Sequence, residues 1–326
     1  MSNELRDPDH HSPLAPLMER YVQQRQACGY RYDEARRILA RLDRFLCEHG
    51  LDKCELPRTL YRTWLLRQPN ESVGTQQVRV SVVRQFALYM CRHEYKADVP
   101  DRSFTAKPTS LFTPRVFTRA EVAQLLQAVD ELRPTARAPL RHLVMRELFR
   151  LLYGCGLRVS EALHLRVGDV DLVRGVLTTR DTKFGKDRLV PPALALMQRL
   201  QRYADALGPR PPDAYFFPSE GGRPRSLSGV YHLFRKLLMR CGIPHGGRGK
   251  GPRVHDLRHS HAVHALLHWC REGADLDAKL PVLATYLGHQ SLQGTQDYLH
   301  LTVELFPEVV KRANAAFEDV IPRRPS

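Results

Sequence analysis

The first third of the chain spaces its apolar residues as a helix does, with residues three and four positions apart sharing one face. The pattern occurs in four stretches: from Leu14 to Gly29, after Asp33, after Pro57 and over 72–95. The connections between them are short, which favours helices that pack side by side. We therefore predict a small helical bundle over 14–99, preceded by a polar tail over 1–13.

A proline-rich segment separates this bundle from the rest of the chain. Residues 100–115 lose the helical spacing and contain three prolines together with Ser and Thr, a composition typical of linkers. Beyond the linker, Thr118-x-x-Glu121 matches a capping box, in which each residue bonds the backbone of the other at a helix start. The sequence therefore predicts a second domain over 116–326.

The second domain is predicted to combine helices with a few short strands. Alternating apolar residues predict strands over 166–173, 175–180 and 186–190, with a hairpin turn at 183–186. Helical spacing predicts helices over 137–153, 193–207, 226–241, 255–271, 279–287 and 303–319, and a short helix that carries Arg158 and Glu161. The predicted fold class is mainly α with a small β-sheet (α+β).

The composition of the chain indicates the kind of partner that it binds and the compartment in which it is expected. The 326 residues are 43% hydrophobic and carry 50 Lys and Arg against 35 Asp and Glu, a net charge of +15. Because each neutralised phosphate releases counterions, this excess favours a nucleic acid partner. Seven scattered cysteines without a Cys-x-x-Cys pair favour reduced thiols. Since the sequence shows no signal peptide and no apolar run of membrane length, we expect a cytoplasmic protein.

Tyr298 is the candidate nucleophile. A phenol is a weak nucleophile at neutral pH because its pKa is near 10. Attack on phosphorus nevertheless gives a phosphotyrosine that keeps the energy of the broken bond, so another hydroxyl can reseal the strand without an energy source. An isolated tyrosine is most often a core residue, and only the other residues of the set favour a catalytic role here.

Two arginines and a lysine supply the charge that such a reaction needs. Phosphoryl transfer places charge on the non-bridging oxygens, and a guanidinium group grips two oxygens and stays protonated. Arg158 lies in an apolar stretch flanked by glycine, and Arg258 lies between imidazoles, which separates both from ordinary surface arginines. Lys183, on the predicted turn, is the candidate acid for the leaving oxygen, and Lys186 is its competitor.

Two histidines and a glutamate complete the candidate set. His255 and His289 are candidates to donate hydrogen bonds to the phosphate or to carry the tyrosine proton. Glu161 lies one helical turn from Arg158 and is expected to orient its guanidinium group or to neutralise it. Together these side chains are sufficient to hold one phosphodiester and attack it without a metal.

A metal site is the competing interpretation of a histidine-rich helix. Four histidines lie close together in the chain, at His259, His261, His264 and His268. The helix has no His-Glu-x-x-His motif, and the sequence offers neither a Cys-x-x-Cys pair nor an acidic cluster to complete a site. We therefore expect no metal cofactor.

A glycine-rich run over 246–251 imitates a phosphate loop. It lacks the GxxxxGK[ST] spacing, and no Ser or Thr follows its lysine, so we expect no ATP requirement. A basic loop near the DNA backbone, or a solvated loop, is the better interpretation. The candidate DNA-binding residues are Arg248, Lys250, Arg253 and, on the hairpin, Lys186.

The second domain resembles the tyrosine recombinase (phage integrase-like) family over 115–320. The resemblance is carried by Gly-Leu-Arg-Val-Ser-Glu at 156–161, the hairpin lysine, His255-x-x-Arg258, Leu-Gly-His at 287–289 and the tyrosine nine residues beyond His289. It implies Arg158 and Arg258 as the arginine pair, Lys183 as the general acid, Tyr298 as the nucleophile, His255 and His289 as the histidine positions and Glu161 as the acidic helper. Residues 14–99 are similar to the family's helical core-binding domain. The interval from Arg258 to His289 is long, and 268–279 is predicted to be an insertion.

The resemblance also implies an activity. It implies a site-specific recombinase that cuts and rejoins duplex DNA through a 3′-phosphotyrosine, with the two domains closing around DNA as a clamp. Four protomers would act on two sites, and an accessory directionality protein is a further expected partner. A mobile element is the expected setting. The alternatives are a chromosome-dimer resolution enzyme, a type IB topoisomerase, a telomere resolvase and a catalytically idle DNA-binding regulator.

Overall fold

The computed structural model describes residues 11–30, 32–101, 104–105, 114–180, 187–247, 251–289, 291, 293–296 and 298. The chain divides into two compact units, Met1–Phe112 and Thr113–Ser326. Each unit has an apolar core of its own.

The first unit contains the four predicted helices: α1 Ala15–Ala27, α2 Asp33–Glu48, α3 Arg58–Leu65 and α4 Val73–Arg92. Their starts follow from local chemistry. Pro57 precedes α3, where its fixed φ suits a helix start. The Ser72 hydroxyl caps α4 by accepting the backbone N–H of Thr75 at 3.1 Å. The apolar faces, with residues such as Leu42 and Phe86, then close over one another as the core.

The end of the predicted polar tail is held against α2. The backbone N–H and the hydroxyl of Ser12 both donate to Oδ1 of Asp43, at 3.0 and 2.5 Å, and both side chains are buried. Ser12, at the end of the predicted tail, is therefore fixed to α2, because a buried carboxylate needs donors and Ser12 supplies them.

Among the described residues of the first unit, Arg79 is a buried arginine. Arg79 of α4 is 2% exposed, and its guanidinium donates to the carbonyl oxygens of Trp64 (2.7 Å) and Leu66 (3.0 Å). It also donates to Oε2 of Glu71 at 2.9 Å. Because Trp64 and Leu66 lie at the end of α3, this side chain closes the connection between α3 and α4.

The second unit is helical around one small sheet, as the predicted fold class requires. Its helices are α5 Arg119–Asp130, α6 Arg141–Gly154, α7 Val159–His164, α8 Leu194–Leu207, α9 Leu227–Arg240, α10 Asp256–Arg271, α11 Leu276–Leu287 and the short α12 Gln293–Gln296. The capping box at the start of α5 is present. The backbone N–H of Glu121 donates to the Thr118 hydroxyl at 3.1 Å, and that of Thr118 donates to Glu121 at 2.8 Å.

The sheet consists of β1 Val170–Asp171, β2 Val176–Thr179 and β3 Arg188–Val190, antiparallel and in chain order. Leu177 pairs with Val190, and Thr179 pairs with Arg188, so β2 and β3 form the predicted hairpin. Its turn lies outside the described residues. Side chains alternate along a strand, so Arg188 shares the inward face of buried Val190 while Leu189 is 65% exposed.

Two predicted starts in this unit were wrong. The helix predicted from residue 137 begins at Arg141 because Thr135 and Ala138 form a bridge ahead of Pro139, and a residue before proline avoids the helical region. The strand predicted from residue 166 is shorter, because Val167–Asp169 forms a 3-10 turn before β1.

The region after α10 also differs from the prediction. Helix α11 begins at Leu276 rather than at residue 279, because the Asp275 carboxylate accepts the backbone N–H of Asp277 at 2.9 Å and caps the helix. The predicted insertion 268–279 forms the end of α10, a short turn and the start of α11. The helix predicted over 303–319 lies outside the described residues.

Helix α10 is the helix around which the last described elements of the second unit pack. It packs against α6 and α11, and Nδ1 of His264 is bonded to the Tyr153 hydroxyl of α6 at 2.8 Å. Among the helices of the described residues, none has the length and apolar character that crossing a membrane requires.

Candidate active site

The candidate site is built around the first turn of α10. The carboxylate of Asp256, fully buried at the helix start, accepts the backbone N–H of Arg253 at 2.7 Å. Arg258 follows and is 2% exposed. Its guanidinium donates to the carbonyl oxygens of Gly156 and Leu287, each at 2.7 Å. Arg258 thereby connects the Gly-Leu-Arg-Val-Ser-Glu motif at 156–161 with the Leu-Gly-His motif at 287–289, which lie far apart in the chain.

The glycines of these motifs are required by their surroundings. Gly156 has φ +58°, and a Cβ there would lie 2.8 Å from both His261 and Leu287. Gly288 has φ +70° at the end of α11, and a Cβ there would lie 2.8 Å from a nitrogen of Arg188. Positive φ favours glycine, and a Cβ at either position would force a neighbouring side chain to move. At Gly288 the absence of a side chain leaves room for Arg188.

Arg158 precedes α7 and shares a carboxylate with a second arginine. Its Nη1 and its backbone N–H donate to the two oxygens of Glu161, at 2.6 and 3.0 Å. Its Nη2 donates to the carbonyl oxygen of Gly288 at 3.1 Å. The terminal nitrogens of Arg188 also donate to Glu161, at 3.1 and 2.9 Å. Glu161 is therefore bonded to both guanidinium groups.

Positive charge exceeds negative charge at this point. Burial opposes ionisation of Glu161, but the bonds and charge of Arg188, and then those of Arg158, lower its pKa to about 2. Burial, followed by the charge of Arg158, lowers the pKa of Arg258 to about 10. Guanidinium groups held together in this way favour the binding of an anion.

His255 and His289 lie beside the arginines as neutral side chains. Burial, and then the charge of Arg258, lower the pKa of each to about 4. Nδ1 of His289 lies 2.7 Å from the Thr295 hydroxyl, which fixes the ring. A neutral imidazole has one donor nitrogen and one acceptor nitrogen, so both side chains can bond oxygens at neutral pH.

Tyr298 lies in the apolar cluster formed with α10 and α11, and it is 4% exposed. Its hydroxyl is 3.1 Å from Nδ1 of His259. Its ring centroid lies 5.5 Å from that of His259 and 5.9 Å from that of His289. The structure thus places the candidate nucleophile beside two imidazoles.

Sequence reasoning considered His259 only as a metal ligand and missed this contact. Its side chain is 14% exposed, and burial, followed by His255, lowers its pKa to about 3. Its Nε2 lies 3.9 Å from Oδ1 of Asp256. The available signal was its spacing: residues four apart share a helix face, and the rings of His255 and His259 have centroids 4.7 Å apart.

Sequence reasoning also missed Arg188. Its signal was the alternation along β3, which places it on the same face as Val190 and so turns a charged side chain inward. A charge facing inward requires a partner, and Glu161 is that partner.

The remaining predicted residues are less informative. Lys183, Lys186, Arg248 and Lys250 lie outside the described residues. The guanidinium of Arg253 lies 3.2 Å from Asp256, with the side chain 42% exposed. Within the described part of the chain, no group of three or more His, Cys, Asp or Glu side chains is arranged to hold a metal ion.

Comparison with known proteins identifies the family. The sequence model of the phage integrase family matches residues 115–304. A Sinorhizobium fredii protein named as an integrase/recombinase, y4rE, is 34% identical, over 92% of this chain and 96% of its own. The tyrosine recombinase XerD of Pseudomonas putida is 30% identical, over 87% of this chain and 89% of its own. The chain therefore belongs to the phage integrase family.

A solved structure supports the fold. The crystal structure of the XerH site-specific recombinase bound to a palindromic difH substrate superposes with a TM-score of 0.63, covering 90% of this chain and 83% of that one, at 17% identity. At this identity the likeness concerns the fold alone. As a member of the family, the chain is a tyrosine recombinase, an enzyme that breaks and rejoins DNA strands.

Proposed function

We propose that Tyr298 attacks a DNA phosphodiester held by Arg158 and Arg258. The phenolic oxygen forms a bond to phosphorus while the bond to the 5′-oxygen breaks, which gives a 3′-phosphotyrosine and a free 5′-hydroxyl. Attack by the 5′-hydroxyl of a second strand reverses both changes and releases the tyrosine. The observation that supports this assignment is the contact of the Tyr298 hydroxyl with His259, directly after Arg258.

The two arginines are suited to the transition state. Arg158 uses two guanidinium N–H groups on Glu161 and Gly288, and Arg258 uses two on Gly156 and Leu287. A guanidinium group has five N–H donors, so each arginine retains donors for phosphate oxygens. Because these bonds fix both groups in advance, little reorganisation is needed as charge develops.

His259 is the proposed acceptor of the Tyr298 proton. Burial keeps its imidazole neutral at pH 7, and in the Nε2–H tautomer Nδ1 faces the phenol as an acceptor. The negative charge of a bound phosphodiester would raise the pKa of this imidazole and make it a better base.

Lys183 is the proposed donor of the proton to the leaving 5′-oxygen. Its support is the position of the hairpin, since Arg188 at the start of β3 bonds Glu161 beside Arg158. The guanidinium groups supply the charge and the phosphotyrosine keeps the bond energy, so we propose that neither a metal nor ATP is needed.

We propose that four protomers act on two DNA sites, helped by an accessory directionality protein, and that the enzyme serves a mobile element. The relative from Sinorhizobium fredii, which is named as an integrase/recombinase and is 34% identical over 92% of this chain, supports an integrating enzyme. The alternative is a chromosome-dimer resolution enzyme.

The test uses a duplex from the ends of the element that carries the gene, nicked so that the cleaved strand cannot be religated. The full chain is incubated with it in EDTA, and the adduct is mapped by mass spectrometry. We expect a covalent adduct on Tyr298, lost in Tyr298→Phe. Tyr203→Phe is the matched control, because it removes a buried hydroxyl bonded to the Phe216 carbonyl elsewhere in the unit.

An adduct that persists in Tyr298→Phe, or that forms only with added metal, would contradict the proposal. Binding without an adduct would favour the DNA-binding regulator. Where an adduct forms, paired sites distinguish the remaining classes: a four-way junction indicates a recombinase, and relaxation by a monomer without a junction indicates a topoisomerase.

A further inference from the structure

Arg188 directs all three of its guanidinium nitrogens at the protein. Nη1 and Nη2 donate to the two oxygens of Glu161, and Nε donates to the carbonyl oxygen of Tyr286 at 2.9 Å. The side chain is 10% exposed. It therefore links β3 to α7 and to the end of α11, and its nitrogens are turned toward the protein rather than toward solvent.

This contact is one of three on successive carbonyls. The carbonyl oxygens of Tyr286, Leu287 and Gly288 accept from Arg188, Arg258 and Arg158, in that order. A helix ends with unbonded carbonyls and negative partial charge, which guanidinium groups satisfy. The end of α11 is thus the common anchor of three arginines from different parts of the chain.

The close approach of Arg188 to Gly288 is a second observation. A Cβ at Gly288 would lie 2.8 Å from Nη1 and 3.1 Å from both Cδ and Cζ of Arg188. The Arg188 side chain therefore lies against Gly288, directly before His289. Movement of Arg188 would release the carboxylate that holds Arg158 and the turn that precedes His289.

We propose that Arg188 is a positioning residue for cleavage, which holds Glu161 so that Arg158 meets the scissile phosphate in the correct orientation. This inference rests on the proposed function. Lysine cannot replace the arginine, because one ammonium group cannot span both carboxylate oxygens and a carbonyl in the plane of a guanidinium. The role is geometric, so charge alone is insufficient.

The test measures single-turnover cleavage of the nicked duplex at saturating protein, with DNA affinity measured separately by fluorescence anisotropy. We expect Arg188→Met to slow cleavage by about 10- to 100-fold, as small misplacements of catalytic groups do, and to change DNA affinity by less than about 2-fold. Arg188→Lys should be slowed at least about 5-fold.

Arg199→Met is the matched control. Arg199 donates from Nε and Nη2 to both oxygens of the buried Glu147, at 3.0 and 2.7 Å, so it forms an ion pair of the same kind outside the site. Its loss should leave the cleavage rate within about 2-fold of wild type. A cleavage rate for Arg188→Met equal to that of Arg199→Met would overturn the proposal, and so would full activity of Arg188→Lys.

A double-mutant cycle separates positioning from general destabilisation. If Arg188 acts through Arg158, adding Arg188→Met to Arg158→Lys should slow cleavage by less than about 3-fold, far less than in the wild-type chain. Equal effects in both backgrounds would overturn the proposal. Absence of any adduct with the wild-type chain would instead count against the proposed function, so the two failures are distinguishable.

Discussion

Arg79 in the first unit and Arg258 in the second are both 2% exposed, yet their surroundings differ. Each donates to two backbone carbonyls, and in this they are alike. Arg79 also has its own carboxylate: the two oxygens of Glu71, whose side chain is 7% exposed, lie 2.7 and 2.9 Å from nitrogens of Arg79. Arg258 instead has Arg158 as a neighbouring charge, which adds to burial in lowering its pKa.

The difference separates an arginine that stabilises the fold from one that we propose binds a ligand. A buried ion pair leaves no net charge, so nothing more needs to bind at Arg79. Like charges held together are relieved by an anion, and a phosphodiester supplies that anion in a DNA-processing enzyme. Burial of an arginine is therefore uninformative until its charged neighbours are known.

The largest effect should follow the loss of Arg258. We expect Arg258→Met to reduce the rate of single-turnover cleavage by at least about 10³-fold, the lower limit for arginines that stabilise a transferring phosphoryl group. Its effect on the free energy of unfolding should be smaller than that of Arg79→Met, because removing Arg258 relieves the repulsion from Arg158, whereas removing Arg79 leaves the carboxylate of Glu71 unpaired. A variant that cuts within about 10-fold of wild type would remove Arg258 from the mechanism.

The loss of Arg79 should act on stability. Arg79→Met leaves Glu71 buried without its partner, and we expect a cost of about 3–5 kcal/mol in the unfolding of the first unit. The chain has two tryptophans, so Trp64 reports this unit in urea once Trp269 is replaced by Phe. The control is Arg36→Met, whose exposed pair with Glu19 should contribute less than about 1 kcal/mol. Equal losses of stability in Arg79→Met and Arg36→Met would contradict the structural role of Arg79, and with it the contrast between Arg79 and Arg258.

Acid should destabilise the second unit through its histidines. His255, His261 and His289 have pKa values near 4 and His259 near 3, all lowered first by burial. At a pH below about 6.5, the ordinary pKa of histidine, these side chains bind protons in the unfolded chain but not in the folded chain. The free energy of unfolding therefore falls as the pH falls from 6.5 toward 4. Each such histidine contributes a slope of about 1.4 kcal/mol per pH unit.

Urea unfolding at pH 7, 6 and 5, followed by Trp269 in a Trp64→Phe background, measures this slope. Stability that stays level over this range would mean that the histidines are accessible to solvent.

Cleavage at limiting DNA should behave differently. Because burial lowers the pKa of His259 to about 3 in the protein without DNA, the second-order rate of cleavage should not fall between pH 7.5 and 6 through protonation of this side chain.

The sequence indicated the candidate residues that the structure brings together better than it indicated their partners. Glycine, the residue that tolerates positive φ, stands close to a candidate side chain in Gly156 and Arg158 and again in Gly288 and His289, and this signal is visible in the sequence. Arg188 carries no such local signal, because its partners lie 27 residues before it and 98 residues after it. The proposed proton acceptor, His259, likewise has its partner Tyr298 39 residues away in the chain.

Local helix propensity explains why the start of α11 was predicted wrongly. Pro281 lies inside this helix, where it removes a backbone donor, so local propensity argues against an early start. The Asp275 cap and the burial of Leu280, Leu283 and Leu287 outweigh that cost. Packing against α10 is a tertiary effect that helical spacing alone does not measure.

The smallest expected effect compares one glycine from each unit. Gly50 after α2 and Gly288 after α11 both have φ +70°, but a Cβ at Gly50 would meet no atom within 4 Å, whereas one at Gly288 would meet Arg188. Gly50→Ala should therefore cost only the strain of positive φ, about 1 kcal/mol. Gly288→Ala should cost the same strain and also displace Arg188.

We expect Gly288→Ala to slow cleavage by about 10-fold, while Gly50→Ala leaves the rate within about 2-fold of wild type. The reason is that the displaced guanidinium loosens Glu161 and, through it, Arg158. Gly288→Ala in an Arg188→Met background tests this cause, because methionine yields to the new methyl group and the further slowing should then be below about 3-fold. If Gly288→Ala slows cleavage equally with and without Arg188, the glycine acts through backbone strain alone and the anchor at the end of α11 has a smaller role than its geometry indicates.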